Sequence, residues 1–416
     1  MVNVVSLLGI ALAVSVAFPC WASTDRFVAS WSEDLDVYRG QLESNHIDLY
    51  HRLSEEAFVQ RVEAIRERLP ELSRFEVIVE LMRLTSDIGD SHTALPLWEI
   101  SLDRYPFDLY EFEGEFRITR VDKRYESLLG AKLLRIEETD IAEAAELFAD
   151  IVPFADNAQS RRSRVASYLT SSELLQGLGI CEQATRARFV FELEGGALRT
   201  IVLQADANEE SEYVAYRLAS PDLTPPEGTK DRDLWFKTME DGRTVYLRFH
   251  RYRSMEEMES FSRRLYMHVS DGGIQNVVID LRGNYGGDLF AGLKIAQYLN
   301  YIDTIDWLSG VYVLTDRQTF SASMVNAVQF RQILNARIVG EPSGARPVGY
   351  QDMGQIYLPN SKLGVCYSKR LFRLQLDDTE FVQPDLVIEP SWERYSDGVD
   401  EAALVVFQAL ARKGER

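Results

Sequence analysis

The sequence predicts a mixed α/β fold made of several domains. A length of 416 residues allows about two to three domains. After residue 233, segments with strand patterns alternate with segments with helix patterns, which is typical of a parallel or mixed sheet covered by helices. Residues 101–219 carry short alternating apolar runs with few helices between them, which indicates a separate β-rich module.

The first 22 residues are predicted to be a signal peptide that is not part of the fold. Residues 4–18 form an apolar run shorter than the roughly twenty residues of a spanning helix, and small residues near Ala22 suit cleavage. No Lys or Arg precedes the run, so a buried N-terminal helix or strand is the alternative. Ala-Phe-Pro-Cys is a poor lipoprotein box, which disfavours lipid anchoring at Cys20. We expect a periplasmic or secreted protein.

Residues 23–100 are predicted to form a helical N-terminal domain. Ser54 is a typical N-cap, with two acidic residues after it in the first turn. Apolar residues then recur with a helical period, at Phe58, Val62, Ile65 and Leu69. A second helix is predicted over residues 75–85, and it stops at Gly89.

The β-rich module of residues 101–219 is predicted from alternation. Residues 107–112 and 116–121 read as strands on either side of a Glu113-Gly114 turn, and residues 131–136 as a third strand. A helix is predicted over residues 140–148, and a hairpin over residues 187–204 with two glycines at its tip. Residues 220–232, with three prolines and a glycine, are predicted to be a linker.

The last part, residues 233–416, is predicted to be an α/β core. Its predicted elements alternate in type along the chain: strands at 244–249, 277–281, 311–314 and 336–339, and helices at 255–269, 290–298 and 322–334.

Charge and cysteine content exclude several classes of function. With 65 acidic against 45 basic residues, the net charge of −20 argues against a nucleic-acid binder. We interpret the acidic surface as solvated. Only Cys181 and Cys366 remain after signal cleavage; they are no disulfide framework, although their pairing stays open. Neither zinc-ligand spacing nor a His-Glu-x-x-His motif is present, so no metal or cofactor is predicted.

Three loops contain residues suited to catalysis. The apolar strand at 277–281 leads into a Gly-rich turn, residues 282–288, whose backbone N–H groups could hold an oxyanion, although an ordinary βα turn would look alike. Ser321 stands at the start of a predicted helix, as a nucleophile or as an N-cap, and Ser323 competes for either role. Ser91 and His92 follow a helix end, where the histidine is either a general base or merely exposed.

In this order, the three loops resemble those of serine peptidases of the C-terminal-processing (tail-specific) and tricorn type. Residues 280–287 match the Asp-Leu-Arg-x-Asn-x-Gly-Gly signature, and residues 319–323 match the nucleophile segment. Residues 338–344 and the closing 383–385 match as well. The resemblance implies a ClpP/crotonase-like α/β catalytic core, an N-terminal helical segment and a PDZ-like β module.

The resemblance also implies the roles of single residues. Ser321 would be the nucleophile, and the backbone N–H groups of Gly287 and Ala322 would form the oxyanion hole. The tail-specific branch uses a lysine base 25 positions after the nucleophile, but Arg346 stands there in this chain. Arginine stays protonated in proteins, so a Ser-Lys dyad is not available. Arg346 would instead bind a substrate carboxylate or brace its loop.

The tricorn branch implies a different base. It uses a Ser-His pair from an upstream loop, which Ser91 and His92 match, together with an acid shortly before the closing Pro-Asp. Counting back from Pro384 leads to Asp378. Its close competitors are Asp377 and Glu380. The acid or a hydroxyl would fix the histidine tautomer.

These residues lead to two hypotheses. The first is an exported serine endopeptidase that cleaves peptides or protein tails through a Ser321 acyl-enzyme, with His92 as general base. The alternative is a catalytically impaired, peptide-binding relative, because Arg346 replaces the lysine. An esterase of the α/β-hydrolase type is disfavoured, since Gly-x-Ser-x-Gly is absent around Ser321. Both hypotheses imply a peptide or protein partner, no nucleic acid and no stable membrane span.

Overall fold

The computed structural model describes residues 21–205 and 211–414. The predicted signal peptide lies almost wholly, and Cys20 wholly, outside the described residues. Among the helices of the described ranges, none has the length and apolar character needed to cross a bilayer. Cys181 and Cys366 are both buried free thiols.

Three helices open the described chain: α1 (Trp21–Asn45), α2 (Glu55–Arg68) and α3 (Arg74–Ile88). Ser54 caps α2 through Ala57 N–H, as its sequence pattern predicted. Ser73 forms a capping box with Glu76 at the start of α3. Gly89, with φ of 86°, ends α3 in the left-handed conformation that glycine adopts at no steric cost, and the chain then turns into the loop with His92.

The next part is an antiparallel sheet with helices inserted. Its elements, in chain order, are β1 (Phe107–Phe112), β2 (Glu115–Asp122), β3 (Lys132–Ile136), β4 (Thr139–Asp140), α4 (Ile141–Ala149), α5 (Ala158–Tyr168), α6 (Ser172–Gly177), β5 (Arg186–Glu192), β6 (Leu198–Gln204) and β7 (Tyr213–Ala215), with a short 3₁₀ segment at Lys123–Leu128. The main strand order is β1-β2-β3-β5-β6, with β4 on β3 and β7 on β2. One hydrophobic cluster runs from α1 to β6, so residues 23–100 and 101–219 share a core.

The rest of the chain forms the α/β core and one long hairpin. Its elements are β8 (Leu234–Thr238), β9 (Thr244–Phe249), α7 (Met255–Asp271), β10 (Asn276–Asp280), α8 (Leu289–Leu299), β11 (Val311–Thr315), α9 (Ala322–Leu334), β12 (Arg337–Gly340), β13 (Val348–Tyr357), β14 (Gly364–Arg373), β15 (Leu386–Val387), α10 (Trp392–Ser396) and α11 (Glu401–Gly414). The core sheet has the order β15-β12-β11-β10-β9-β8 and is parallel except for β8. Helices α7, α8 and α9 pack on one face and α11 packs on the other. The predicted mixed α/β, multidomain fold is confirmed.

The hairpin of β13 and β14 ties the core to the N-terminal helices. Cys366 of β14 pairs with Ala94, and the Tyr350 hydroxyl of β13 donates to an oxygen of Asp48 at 2.6 Å. Ile47 N–H donates to the Ser368 carbonyl at 3.1 Å. The hairpin therefore holds the loop that follows α3 against the core, and this loop contains His92.

Candidate active site

Ser321 occupies a strained turn between β11 and α9. Its φ of 53° and ψ of −127° are outside the regions that a non-glycine residue normally adopts. Although it precedes the helix, its hydroxyl makes no capping hydrogen bond. Instead, Ser321 Oγ lies 2.8 Å from His92 Nε2. The structure therefore joins the predicted nucleophile to the predicted base, which are 229 residues apart in the chain.

Ser323, the competing serine, has a different environment. It is fully buried, and its hydroxyl donates to the Asn284 carbonyl at 2.5 Å. Ser323 Oγ also accepts the Phe320 N–H at 3.0 Å. With both its donor and its acceptor capacity used, Ser323 holds the start of α9 to the Gly-rich loop.

His92 is buried in the loop after α3 and held from both sides. Its Nδ1 lies 2.9 Å from Ser91 Oγ, and its ring stacks on Phe320 with the centroids 5.2 Å apart. Burial lowers the pKa of His92 to about 4, and the charges of Asp90 and Asp352 oppose this only in part. At neutral pH the imidazole is therefore uncharged and able to accept a proton at Nε2.

Asp90 fixes the backbone of the same loop. One carboxylate oxygen accepts the N–H groups of His92 and Thr93, at 3.0 and 2.8 Å. It also accepts the hydroxyl of Ser368 from β14, while the other oxygen lies 2.9 Å from His46 Nε2. All of these partners are buried, so the position of the His92 backbone is set by contacts from two distant parts of the chain.

Asp156 is a residue beside this site that sequence reasoning missed. It lies between α4 and α5, and its carboxylate faces the Ser91 side chain and the backbone N–H of Arg346. Burial raises the pKa of Asp156 to about 7, and the Ser91 hydrogen bond and the charge of Arg346 offset only part of this. Its Oδ1 has no hydrogen-bond partner among the described residues. Ser321, His92, Ser91 and Asp156 thus form one continuous chain of polar groups.

Asp378, the predicted orienting acid, is not beside His92. Its Oδ1 accepts a hydrogen bond from Arg346 Nη2 at 2.8 Å, and its side chain is 64% exposed. The competing acids Asp377 and Glu380 form no hydrogen bond to His92 either, as far as the described residues extend. The structure thus places Asp378 on Arg346, whereas the carboxylate that faces Ser91 is that of Asp156 in the β-rich module.

Arg346, at the position of the lysine of the tail-specific branch, braces its surroundings. Its guanidinium binds Asp378, its carbonyl accepts from Gln351 at 3.0 Å, and its N–H faces Asp156. It is not among the residues that line the cleft at Ser321. Of its two predicted roles, the structure displays the bracing one.

The Gly-rich loop after β10 touches Ser321 at Gly286. With φ of 101°, Gly286 has a conformation that favours glycine, and a Cβ atom there would lie 2.8 Å from both Ser321 Cβ and Ala322 N. Neither Gly287 N–H nor Ala322 N–H donates to an acceptor within the described part of the chain. Both residues line the cleft beside Ser321, so these two N–H groups are available to an oxyanion.

Asn284, the asparagine of the Asp-Leu-Arg-x-Asn-x-Gly-Gly pattern, holds the Gly-rich loop in place. Its side chain is fully buried, donates to the Phe249 carbonyl at 2.8 Å and accepts Gly286 N–H at 2.9 Å. Its carbonyl accepts Phe320 N–H at 3.1 Å. One asparagine thereby locks the Gly-rich loop to the end of β9 and to the segment before Ser321.

Ser321 opens into a cleft of about 1090 Å³ with strongly aromatic walls. The aromatic lining residues are Trp98, Phe154, Tyr168, Tyr285, Phe290, Phe320 and Phe372. A second cavity of about 590 Å³ lies at the ends of the core strands near Trp235 and does not include Ser321. In the described ranges, no three His, Cys, Asp or Glu side chains come together as a metal site would require.

Comparison with known structures agrees with this fold. Mature CPAF superposes with a TM-score of 0.61 at 12% identity, over 94% of this chain and 99% of that one. The complex of mature CPAF with lactacystin gives a TM-score of 0.61 at 13% identity, over 93% and 100%. At these identities the likeness shows a shared fold.

Comparison of the sequence identifies the family. No curated protein sequence matches the chain. Residues 243–373, which run from β9 to the end of β14 and include Ser321 and the Gly-rich loop, match the model of peptidase family S41. This region of the chain therefore belongs to peptidase family S41, a family of serine peptidases.

Proposed function

We propose that the protein is an exported serine-type endopeptidase that cleaves peptides or protein tails through an acyl-enzyme on Ser321. The observation that carries this proposal is the 2.8 Å contact between Ser321 Oγ and His92 Nε2. It lies within the hydrogen-bond range required of a nucleophile and its base. Export is supported by the predicted signal peptide, residues 1–22.

Acylation follows from this geometry. Ser321 Oγ attacks the scissile carbonyl carbon while its proton moves to His92 Nε2. The resulting oxyanion is stabilised by the N–H groups of Gly287 and Ala322. When the tetrahedral intermediate collapses, His92 gives the proton to the leaving amine, and a water molecule activated by the same imidazole later hydrolyses the ester.

Ser91 and Asp156 support this proton transfer as positioning residues. For Nε2 to accept a proton, the neutral ring must carry its proton on Nδ1, and Ser91 Oγ at 2.9 Å accepts that hydrogen bond. The Ser91 hydroxyl, which faces the Asp156 carboxylate, would then donate its own proton to Asp156. An ionised Asp156 would stabilise the imidazolium through the intervening hydroxyl, so the acid acts without touching the histidine.

The β-rich module is proposed to be PDZ-like and to receive part of the polypeptide substrate. Its mainly antiparallel sheet and inserted helices support this assignment, as does the position of α5, which contributes Arg164, Ser167 and Tyr168 to the wall of the Ser321 cleft.

The alternative, a catalytically impaired peptide-binding relative, rests on Arg346 replacing a lysine. The geometry favours catalysis over this alternative, because His92 already occupies the position of a base against Ser321. Arg346 is engaged with Asp378, away from the cleft.

Labelling with a fluorophosphonate separates the two functions. We expect wild type to be labelled at Ser321 and not at Ser323, as located by peptide mass spectrometry, and to cleave an unfolded protein substrate. Ser321→Ala should abolish both labelling and cleavage, and His92→Ala should slow both by at least about 10²–10⁴-fold. His268→Ala, a histidine exchange on α7 outside the cleft, is the matched control and should retain both. An unlabelled wild type that still binds peptides would favour the alternative.

A further inference from the structure

Arg164 is a cation in the wall of the catalytic cleft without a carboxylate partner. It lies on α5, and no acidic oxygen of the described residues approaches its guanidinium within 4.0 Å. Its neighbour Arg162, by contrast, pairs with Glu111 at 2.5 Å and Glu389 at 3.3 Å. An unpaired cation inside a cleft is notable in a chain with a net charge of −20.

The surroundings of Arg164 hold it in place without using all of its N–H groups. Its guanidinium carbon lies 4.3 Å from the Tyr285 ring centroid and 5.4 Å from that of Phe320. The Tyr285 hydroxyl also lies close enough to Arg164 for the arginine to lower the pKa of the tyrosine in part. The Nε atom, however, is buried and has no acceptor among the described residues. Buried donors are almost always satisfied, so this N–H group is hydrogen-bonding capacity that the described residues leave unused beside the cleft.

The other cationic side chain of the cleft is already neutralised. Arg370 Nε lies 3.2 Å from Asp352 Oδ2, and the side chain is 69% exposed. Outside the cleft, Arg346 is bound to Asp378. Arg346 and Arg370 thus each have a carboxylate partner, whereas Arg164 has none within the described chain.

We propose that Arg164 forms a subsite for a carboxylate of the substrate, supplied either by an acidic side chain or by the terminal carboxylate of a polypeptide. A guanidinium stacked on aromatic faces keeps edge N–H groups available for a planar, two-oxygen acceptor. This inference rests on the proposed function and names the substrate chemistry of the same cleft.

The position of Arg164 restricts where that carboxylate lies. Phe320 immediately precedes Ser321, and Tyr285 immediately precedes the two glycines of the oxyanion loop. A carboxylate on Arg164 would therefore lie close to the scissile bond, within a few substrate residues. The two rings also cover part of the guanidinium, and a less polar environment strengthens a charge-assisted hydrogen bond.

The test measures binding, so that it does not depend on catalysis. The protein used is the Ser321→Ala variant, and the probes are fluorescein-labelled octapeptides with one central Phe. In each peptide one of the other positions carries either Glu or the isosteric Gln. Each peptide is made once with a free C-terminus and once with an amidated C-terminus. Fluorescence anisotropy gives the Kd of each. We expect one Glu-to-Gln exchange, or amidation, to weaken binding about 10- to 100-fold. The first result identifies a side-chain carboxylate, and the second a terminal one.

Two further variants assign this discrimination to Arg164. Arg164→Gln should abolish the Glu/Gln or acid/amide difference, whereas Arg161→Gln, the same charge removal one turn earlier on α5, should preserve it. The inference is overturned if no peptide binds, if Gln and amide forms bind as well as the acids, or if the difference survives Arg164→Gln. Fluorophosphonate labelling of the parent enzyme reports separately on the proposed function.

Discussion

Asp156 is the side chain that we expect to set the acidic limit of activity. Burial raises its pKa to about 7, whereas the pKa of His92 is lowered to about 4, so the imidazole is already neutral when Asp156 becomes ionised. We predict that kcat/KM rises with pH through about 7. Asp156→Asn should remove this rise and lower the plateau by about 10- to 100-fold, less than the ~10⁴-fold known for an aspartate in direct contact with a catalytic histidine. A pH-rate profile of both proteins measures this.

The stability of the same variant provides the control. The pKa of Asp156 is raised from 3.8 to about 7 in the folded state, so the protonated form favours folding, and stability falls as pH rises between these values. The loss amounts to about 4 kcal/mol at most. At pH 8, Asp156→Asn should therefore have a higher free energy of unfolding than wild type, whereas at pH 4 it should not. Urea unfolding at the two pH values measures this difference. A wild-type pH-rate profile without an inflection near pH 7 would contradict the proposed role of Asp156 in catalysis.

Single residues of the site differ in how far the sequence could reveal them. Ser321, His92 and Ser91 follow helix and strand ends within recognisable motifs. Asp156 carries no motif, because its position results from tertiary packing: the adjacent Asn157 donates to the carbonyls of Ser343 at 3.2 Å and Glu380 at 2.8 Å. Counting along the chain to Asp378 could not reveal that an arginine would bind this acid.

At the scale of elements, the loop between β10 and α8 depends on a glycine that touches the nucleophile. A methyl group at Gly286 would lie 2.8 Å from Ser321 Cβ, and φ is 101°. We predict that Gly286→Ala displaces the oxyanion loop and lowers kcat by about 10²–10³-fold, the effect of losing one oxyanion donor. Fluorophosphonate labelling rates and peptide cleavage both measure it.

Gly195 at the tip of the β5–β6 hairpin is the matched control for this exchange. Its φ of 95° is similar, but a Cβ atom there would meet nothing within 4 Å. Gly195→Ala should therefore cost about 1–2 kcal/mol of stability and leave kcat unchanged. Equal activity of the two variants would show that the approach to Ser321 is not what requires glycine at Gly286.

The elements of the core from β9 to β12 were predictable, whereas its outer elements β8, β15 and α11 and the hairpin of β13 and β14 were not. The alternation from β9 to β12 is encoded by apolar runs such as β10, whose residues are all buried, because these strands are covered on both faces. The β13–β14 hairpin instead mixes buried and exposed residues with little alternation, since part of it packs on the N-terminal helices and part lines the cleft. The spacing of apolar residues along a strand reports burial of one face of a sheet. It cannot reveal contacts that the two ends of a hairpin make with different parts of the molecule.

At the scale of the whole molecule, Arg317 joins the core to the β-rich module. It is 2% exposed; its Nη1 binds the Glu111 carboxylate of β1 at 2.8 Å, and its Nε binds Glu341 at 2.7 Å. Its guanidinium carbon also lies 4.6 Å from the Tyr110 ring centroid. The segment with Arg317 leads directly to Ser321, so this buried ion cluster fixes the module, and with it α5 and Asp156, relative to the nucleophile.

Removing Arg317 should therefore destabilise the molecule through charges left unpaired. We predict that Arg317→Ala lowers the free energy of unfolding by about 3–5 kcal/mol, because Glu341 stays buried without a cation and Glu111 keeps only Arg162. Arg135→Ala breaks only an exposed pair with Asp140 and should cost about 1 kcal/mol or less. The loss in Arg317→Ala should be larger at pH 8 than at pH 5, since burial raises the pKa of the Glu111 carboxyl and the Arg317 charge is one of the groups that lower it. Urea unfolding at both pH values measures this, and a loss independent of pH would indicate a cavity rather than unpaired charge.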